Sequence, residues 1–142
     1  MTDAKEKQAF YDELITRVNS SDRFAAYIGI RVLEVQEGYA RLELPNVTET
    51  QNLFGALHGG AMSTLADTAS GVAVTSLGRH MRVTVHNTME YLRQAAPGPV
   101  QCVSRVRKAG STITICEATV TDSQGQEVAI GTFSFFNTGQ AI

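Results

Sequence analysis

Between His58 and Gly78 the chain carries one carboxylate, Asp67, and no lysine or arginine. Glycine, alanine, serine and threonine fill the stretch, with Met62, Leu65, Val72, Val74 and Leu77 among them. The segment is too long for one strand and contains no proline, so it reads as a helix buried nearly all round. Gly59-Gly60 and Gly78 fit its start and stop. Small side chains let a second backbone or a ligand approach closely. A helix this apolar must be wrapped by the rest of the chain.

The flanking sequence supplies a wrapper. Residues 3–19 place Phe10, Tyr11, Leu14, Ile15 and Val18 at helical spacing. Asn19-Ser20-Ser21-Asp22 stops that helix and can cap a short second one carrying Phe24, Ala25, Ala26 and Tyr27. Residues 30–45 alternate around Glu37-Gly38 as a hairpin, closed by Pro45. Residues 46–57 are irregular and polar. Beyond the long helix, residues 82–93, 99–108, 112–121 and 126–136 read as strands, with turns at Gly110-Ser111 and Ser123-Gln124-Gly125. The expected order is two helices, two strands, the long helix and four strands. That is an α+β fold in which an antiparallel sheet wraps one central helix. Such a sheet keeps an open edge, and edges must be paired or protected, so edge-to-edge dimerisation is expected.

Composition narrows the function. The 142 residues, 15.3 kDa, make one domain spanning 1–142, with residues 1–23 as an appended helix. Charged residues are 18% of the chain, against roughly 25% in ordinary soluble domains. Nine of the 26 lie in the first 23 residues, so the remainder is poor in charge and some of its surface is expected to be covered by another subunit. A net charge of −2 offers no field for nucleic acid. No run of about 18 apolar residues suggests a membrane span. The polar first 23 residues have no signal-peptide pattern. Two cysteines fit a reducing compartment. A cytoplasmic location is expected.

Few residues can carry chemistry. Asp67 is a lone carboxylate on an apolar helix, where burial is costly. It could also be an exposed position, or bond to Ser63 or Ser70. His58-Gly59-Gly60 opens the same helix, whose free N–H groups and dipole can polarise a carbonyl. Asp67 follows Gly59 by eight residues, about 12 Å along the axis. One chain cannot bring both onto one small reacting centre, whereas two antiparallel helices can. Cys102 and Cys116 read as free thiols, and His80 and His86 lack metal-ligand spacing with His58. No metal site is expected. There is no nucleophile elbow and no phosphate loop. Arg105, Arg107 and Lys108 form a basic patch near Gly110, either a solvated strand end or a phosphate contact.

Asn52-x-x-Gly55-x-x-His58-Gly59-Gly60, followed by Leu65-Ala66-Asp67-Thr68-Ala69, resembles the hotdog-fold acyl-CoA thioesterases of the phenylacetic-acid-degradation type. The resemblance runs on through Glu90-Tyr91-Leu92-Arg93 to Ala129-x-Gly131-Thr132 and covers about residues 25–136. It implies a hotdog fold and dimers paired into tetramers, with active sites between subunits. It implies that the Gly59 N–H meets the thioester carbonyl, and that Asp67 of a neighbouring subunit acts as nucleophile or as base for water. Asn52 would hold the thioester or the lytic water, and His58 would orient the loop or the carbonyl. Thr84 falls where some relatives carry a water-positioning serine. Gly60, Arg93, Arg105, Arg107, Lys108, Gly110 and Ser111 would contact substrate or its coenzyme A tail. Coenzyme A is then part of the substrate, and no cofactor is expected. Two departures stand out: Gln94 replaces a common proline, and Leu53-Phe54 replace a glycine-histidine pair.

Two other functions compete. A hotdog hydratase or dehydratase would use a His with a carboxylate for proton abstraction, and His58 with Asp67 could imitate that pair. A non-catalytic acyl-CoA binding module would bind without turnover.

Overall fold

The computed structural model describes residues 3–142. Helix α1 spans Ala4–Asn19 and α2 is the single turn Phe24–Tyr27. Strands β1 (Arg31–Gln36) and β2 (Tyr39–Leu44) form the expected hairpin. A 3-10 turn at Thr48–Thr50 leads into the long helix α3, Gly59–Thr75. Strands β3 (His80–Tyr91), β4 (Val100–Ala109), β5 (Ile113–Thr121) and β6 (Glu127–Ala141) complete the chain. The described strands make one antiparallel sheet in the order β1-β2-β4-β5-β6-β3. The sheet curls round α3, which gives the hotdog fold. None of the described helices is long and apolar enough to cross a membrane.

Alternation decides which face of the sheet meets α3. Ala40, Leu42 and Leu44 of β2, Val100 and Cys102 of β4, and Cys116 and Val120 of β5 are buried. They pack on Leu65, Ala66, Ala69, Ala73 and Val74 of α3. Each large apolar side chain so buried contributes about 1.5–3 kcal/mol. The polar side chains in this layer are satisfied: the Ser70 and Ser104 hydroxyls are bonded to each other at 2.9 Å, and the Cys116 thiol meets the Ser70 carbonyl at 3.9 Å. Both cysteines are free, as expected, and the fold places both in the core, where burial pushes each thiol up to about 12.

Three expectations need correction. The first concerns α3, which is not buried all round. Ser63, Thr64, Asp67, Thr68, Gly71 and Thr75 stay half-buried, because the sheet packs closely on the opposite face and only borders this one. The second concerns the Asn19–Asp22 cap. The residue at the start of α2 is Arg23, without a side-chain cap, and Ser21 Oγ accepts the Arg23 N–H. The Asn19 amide instead takes both the N–H and the carbonyl of Val32, at 2.7 and 3.0 Å. The third concerns β6, which runs five residues past 136. Asn137-Thr138-Gly139 has turn composition and does bulge, with Gly139 at φ 78° and its N–H on Asn137 Oδ1 at 3.0 Å, but the strand resumes beyond it where Ala141 pairs with His80.

The two sheet edges are treated differently. Helix α1 guards β1 through Asn19. It is latched at its middle by Arg79, whose guanidinium meets the Glu13 carboxylate at 2.6 Å and lies 4.4 Å over the Phe10 ring. Strand β3 has no such guard. Its outer edge is open for twelve residues and exposes Met81, Val83, Val85 and Tyr91.

Candidate active site

The start of α3 is built by its own sequence. His58 caps it: Nδ1 accepts the Gly60 N–H at 2.8 Å, and the His58 carbonyl accepts from Ala61 and Met62 at 3.0 and 3.1 Å. Of the first-turn donors, this leaves the Gly59 N–H without an acceptor among the described residues. The Tyr91 ring lies beside Gly59, where an added Cβ would sit 3.4 Å from Cε1. An accepting Nδ1 puts the proton of the neutral imidazole on Nε2. His58 is thereby committed to the cap through Nδ1, which leaves its Nε2–H as the donor.

The preceding loop is a rigid tip. Gln51 bridges Leu57, and the Asn52 N–H donates to the Ala56 carbonyl at 2.8 Å. Asn52 Oδ1 accepts from the Phe54 and Ala56 N–H groups at 2.9 and 3.1 Å. The oxygen of Asn52 thus shapes the loop, and its NH₂ group is the part left to meet a ligand. The tip holds Leu53 and Phe54 in solvent at 100% and 92% exposure. Two apolar side chains fixed in water by a hydrogen-bonded loop form an apolar contact surface.

Asp67 lies two turns further on. Its partner is not Ser63 or Ser70 but Thr84 on β3, whose hydroxyl donates to Oδ1 at 2.6 Å. The neighbouring helix hydroxyls Thr64, Thr68 and Thr75 turn back onto α3 carbonyls. Asp67 alone on this face reaches across to the sheet, with Oδ2 open. It borders a cleft of about 400 Å³ between α1, α3 and β3. A second cleft, about 330 Å³, lies at the helix start against His58 and Gly60, with Phe24 and Ile28 on its wall.

The structure separates the remaining candidates into two ends. Arg93 lies near the α3 start, where its guanidinium donates to the Glu127 carbonyl. The basic patch lies at the α3 finish: the Gly38 N–H bonds Ser76, and the Gly38 carbonyl takes the Val106 N–H. There Arg105 stacks on Tyr39, Arg107 faces Glu117 at 3.4 Å, and Lys108 is exposed. Gly110 forms the turn before exposed Ser111, with no room for a side chain, since a Cβ would sit 2.3 Å from the Ile113 oxygen. No single chain gathers these cations around Gly59.

Residues 54–129 match the sequence model of the thioesterase superfamily. The chain belongs to the thioesterase superfamily. By that membership it is a thioester hydrolase, and the matched span contains His58, Gly59, Gly60, Asp67 and Thr84. The Escherichia coli acyl-coenzyme A thioesterase PaaI is 27% identical over 111 residues, 78% of this chain and 79% of that protein. The structure of E. coli PaaI superposes with a TM-score of 0.86 at 23% identity, covering 99% of both chains, and shares the fold. A conserved protein from Pseudomonas aeruginosa is 31% identical at a TM-score of 0.80, covering 85% of this chain and 98% of that one. A Streptococcus mutans protein solved bound to acetyl CoA is 28% identical at 0.78, covering 87% and 100%.

Sequence reasoning passed over some residues that the fold brings to the site. Tyr91 was visible only as part of a motif, and its packing on Gly59 depends on where β3 ends. Leu14, Val18 and Arg82 border the Asp67 cleft. The first two lay in an ordinary apolar stripe, and no local signal marked Arg82.

Proposed function

We propose that this thioesterase hydrolyses acyl-coenzyme A at a site shared by two copies of the chain. The observation that carries the proposal is a separation. The open Gly59 N–H and the Thr84-held carboxylate of Asp67 lie on one straight helix, eight residues and about 12 Å apart. A second α3 running antiparallel brings one chain's Gly59 to the other's Asp67. The open β3 edge and the exposed Leu53-Phe54 tip support that pairing, and dimers then pair into tetramers. Asn52 offers its NH₂ group to the thioester or the lytic water.

The substrate carbonyl accepts the Gly59 N–H at the positive end of α3. With Asp67 as base, Oδ2 takes a proton from water while the water oxygen bonds to the acyl carbon. The carbonyl electron pair moves onto oxygen, facing the Gly59 N–H. Collapse breaks the carbon–sulfur bond, and the thiolate takes up the proton held by Asp67. With Asp67 as nucleophile, its oxygen bonds the acyl carbon first, the thiolate leaves, and water opens the mixed anhydride. Both routes give free acid and thiol, and neither needs a serine nucleophile because a thiolate leaves readily. Arg93 at one end, and Arg107, Lys108 and the Gly110-Ser111 turn at the other, offer contacts for the phosphates of the coenzyme A tail. The Arg107–Glu117 pair is exposed and worth at most about 1 kcal/mol, so a phosphate can displace it. An acyl-CoA substrate and reduced core thiols fit a cytoplasmic location.

The test is thiol release from phenylacetyl-, benzoyl-, hydroxybenzoyl-, short- and medium-chain acyl-CoA by the parent and by Asp67→Ala. Loss of turnover in a folded variant is expected. Turnover at the parent rate would sink the assignment.

A further inference from the structure

The cleft beside Asp67 has a chemical polarity of its own. Leu14 and Val18 of α1, Val72 of α3 and Phe135 of β6 give it apolar walls. Gly71 leaves space between them, since an added Cβ would come within 3.9 Å of the Phe135 ring. Asp67 and Thr84 stand together on one side. Arg82 also lines the cleft, two residues from Thr84 on β3 and therefore on the same face, about 7 Å further along.

Arg82 is the unusual member. It is half-buried on a strand that is otherwise almost wholly exposed. Its Nη1 donates to the Gly78 and His80 carbonyls at 3.2 and 3.4 Å, which fixes the head group. Nε and Nη2 have no acceptor among the described residues. The ion pairs there engage Lys7, Arg17, Arg23, Arg41, Arg79 and Arg107, but not Arg82. Loss of water lowers its pKa, with no carboxylate acting against that shift. A partly desolvated guanidinium held still, with two nitrogens unused, is a fork prepared for a planar anion.

We infer that Arg82 selects acyl groups bearing a carboxylate at the end remote from the thioester, so that the substrates are coenzyme A monothioesters of short dicarboxylic acids. This rests on the acyl-CoA reading above. The thioester carbon sits at Asp67, the methylene chain runs between Leu14, Val18, Val72 and Phe135, and the free carboxylate meets Nε and Nη2 of Arg82. The apolar walls alone would accept any short chain. The cation supplies the discrimination, because an uncharged chain end would leave the guanidinium half-desolvated and unpaired.

The experiment compares kcat/KM by thiol release for glutaryl- and adipyl-CoA with butyryl- and hexanoyl-CoA. It uses the full-length protein together with Arg82→Gln and Arg82→Lys. The parent is expected to prefer the carboxylated substrates by about tenfold or more, the scale of a charge-assisted hydrogen-bond pair. Arg82→Gln should bring the ratio to near one through KM, and Arg82→Lys should keep part of it. A parent that hydrolyses both classes equally overturns the inference while leaving the thioesterase reading intact. So does an Arg82→Gln variant that lowers both classes by one common factor, since Arg82 then only clamps the Gly78–His80 loop. Failure of the parent to cleave any of the four overturns this inference, and the acyl-CoA reading falls with it only if phenylacetyl-, benzoyl- and hydroxybenzoyl-CoA are also left intact. Because the parent's own ratio is decisive, a poorly folding variant does not shelter the inference.

Discussion

Thr84 Oγ1 donates to Asp67 Oδ1 at 2.6 Å, tying the last strand of the sheet to the middle of the central helix. The bond fixes one carboxylate oxygen and leaves the other facing the cleft. The isolated carboxylate of the long helix thus becomes an oriented one. Thr84→Val should lower kcat by about 10- to 100-fold with little change in KM, because the carboxylate survives but its aim is lost. Thr84→Ser should retain most of the rate. Asp67→Ala should cost about a thousandfold. Steady-state thiol release, with a thermal melt as folding control, separates the three. Equal kcat values for parent and Thr84→Val would contradict the positioning role.

Gly59 and Gly60 should respond differently to the same methyl group. A Cβ at Gly59 finds ordinary contact with Tyr91, and alanine is the better helix former by about 1 kcal/mol. Gly59→Ala should therefore melt no lower than the parent, yet hydrolyse more slowly as the methyl crowds the approach to its N–H. A Cβ at Gly60 comes within 3.0 Å of the His58 ring. Gly60→Ala should push that ring off its cap and cost about 1 kcal/mol of stability. Melting curves and rates for both variants decide the matter.

A site shared between subunits can be tested by mixing. Asp67→Ala and Gly59→Val should each be nearly inactive alone. Unfolded and refolded together, they should recover activity, because a mixed dimer holds one complete Gly59–Asp67 pair. Absence of recovery, with mixed dimers demonstrated, would place the whole site in one chain. Val85→Lys at the β3 edge should shift the protein towards monomer in sedimentation and remove activity with it.

Asp122 sets an acid limit on the fold. Its carboxylate accepts the Ala96 N–H at 3.0 Å, and also those of Gln126 and Gln124. The Ala96 bond chiefly holds its pKa below the usual carboxylate value. A depressed folded pKa gives stability that is full above the unfolded value, near 3.8, and lost as pH falls through the folded one. Melting temperature should drop with acidification below about pH 4, and Asp122→Asn should flatten part of that drop. An identical acid dependence in the variant would assign it elsewhere.

Cys102 and Cys116, buried and pushed up to about 12, should be silent towards a disulfide thiol reagent in the native protein. Both should react after denaturation. The same silence keeps the thiol-release assay free of protein background, and rapid labelling of the native chain would refute it.

The elements themselves were legible because each follows a local rule. The period of α1, the Glu37-Gly38 turn and the strand alternations needed only neighbouring residues. The long helix stood out by its shortage of charge, and Asp67 by being the exception within it. Where local rules misled, a distant segment intervened. Asn137-Thr138-Gly139 has turn composition and does bulge, yet the chain does not leave the sheet there, because Asn137 bonds the Thr112 carbonyl and Ala141 pairs with His80. Asn19 looked like a cap, and the outer edge of β1 claimed its amide.

The candidate site divides along the same line. Sequence by itself named Asp67, His58 and Gly59, and showed through the helix rise that one chain could not join Gly59 to Asp67. Tertiary structure decided the partners: Thr84 for Asp67, the Gly60 N–H for His58, Tyr91 for Gly59, and an unpaired Arg82 in the cleft. The physical reason is range. Periodicity and turn chemistry act over a few residues, whereas the aim of a carboxylate depends on which strand folds against it from seventeen residues away.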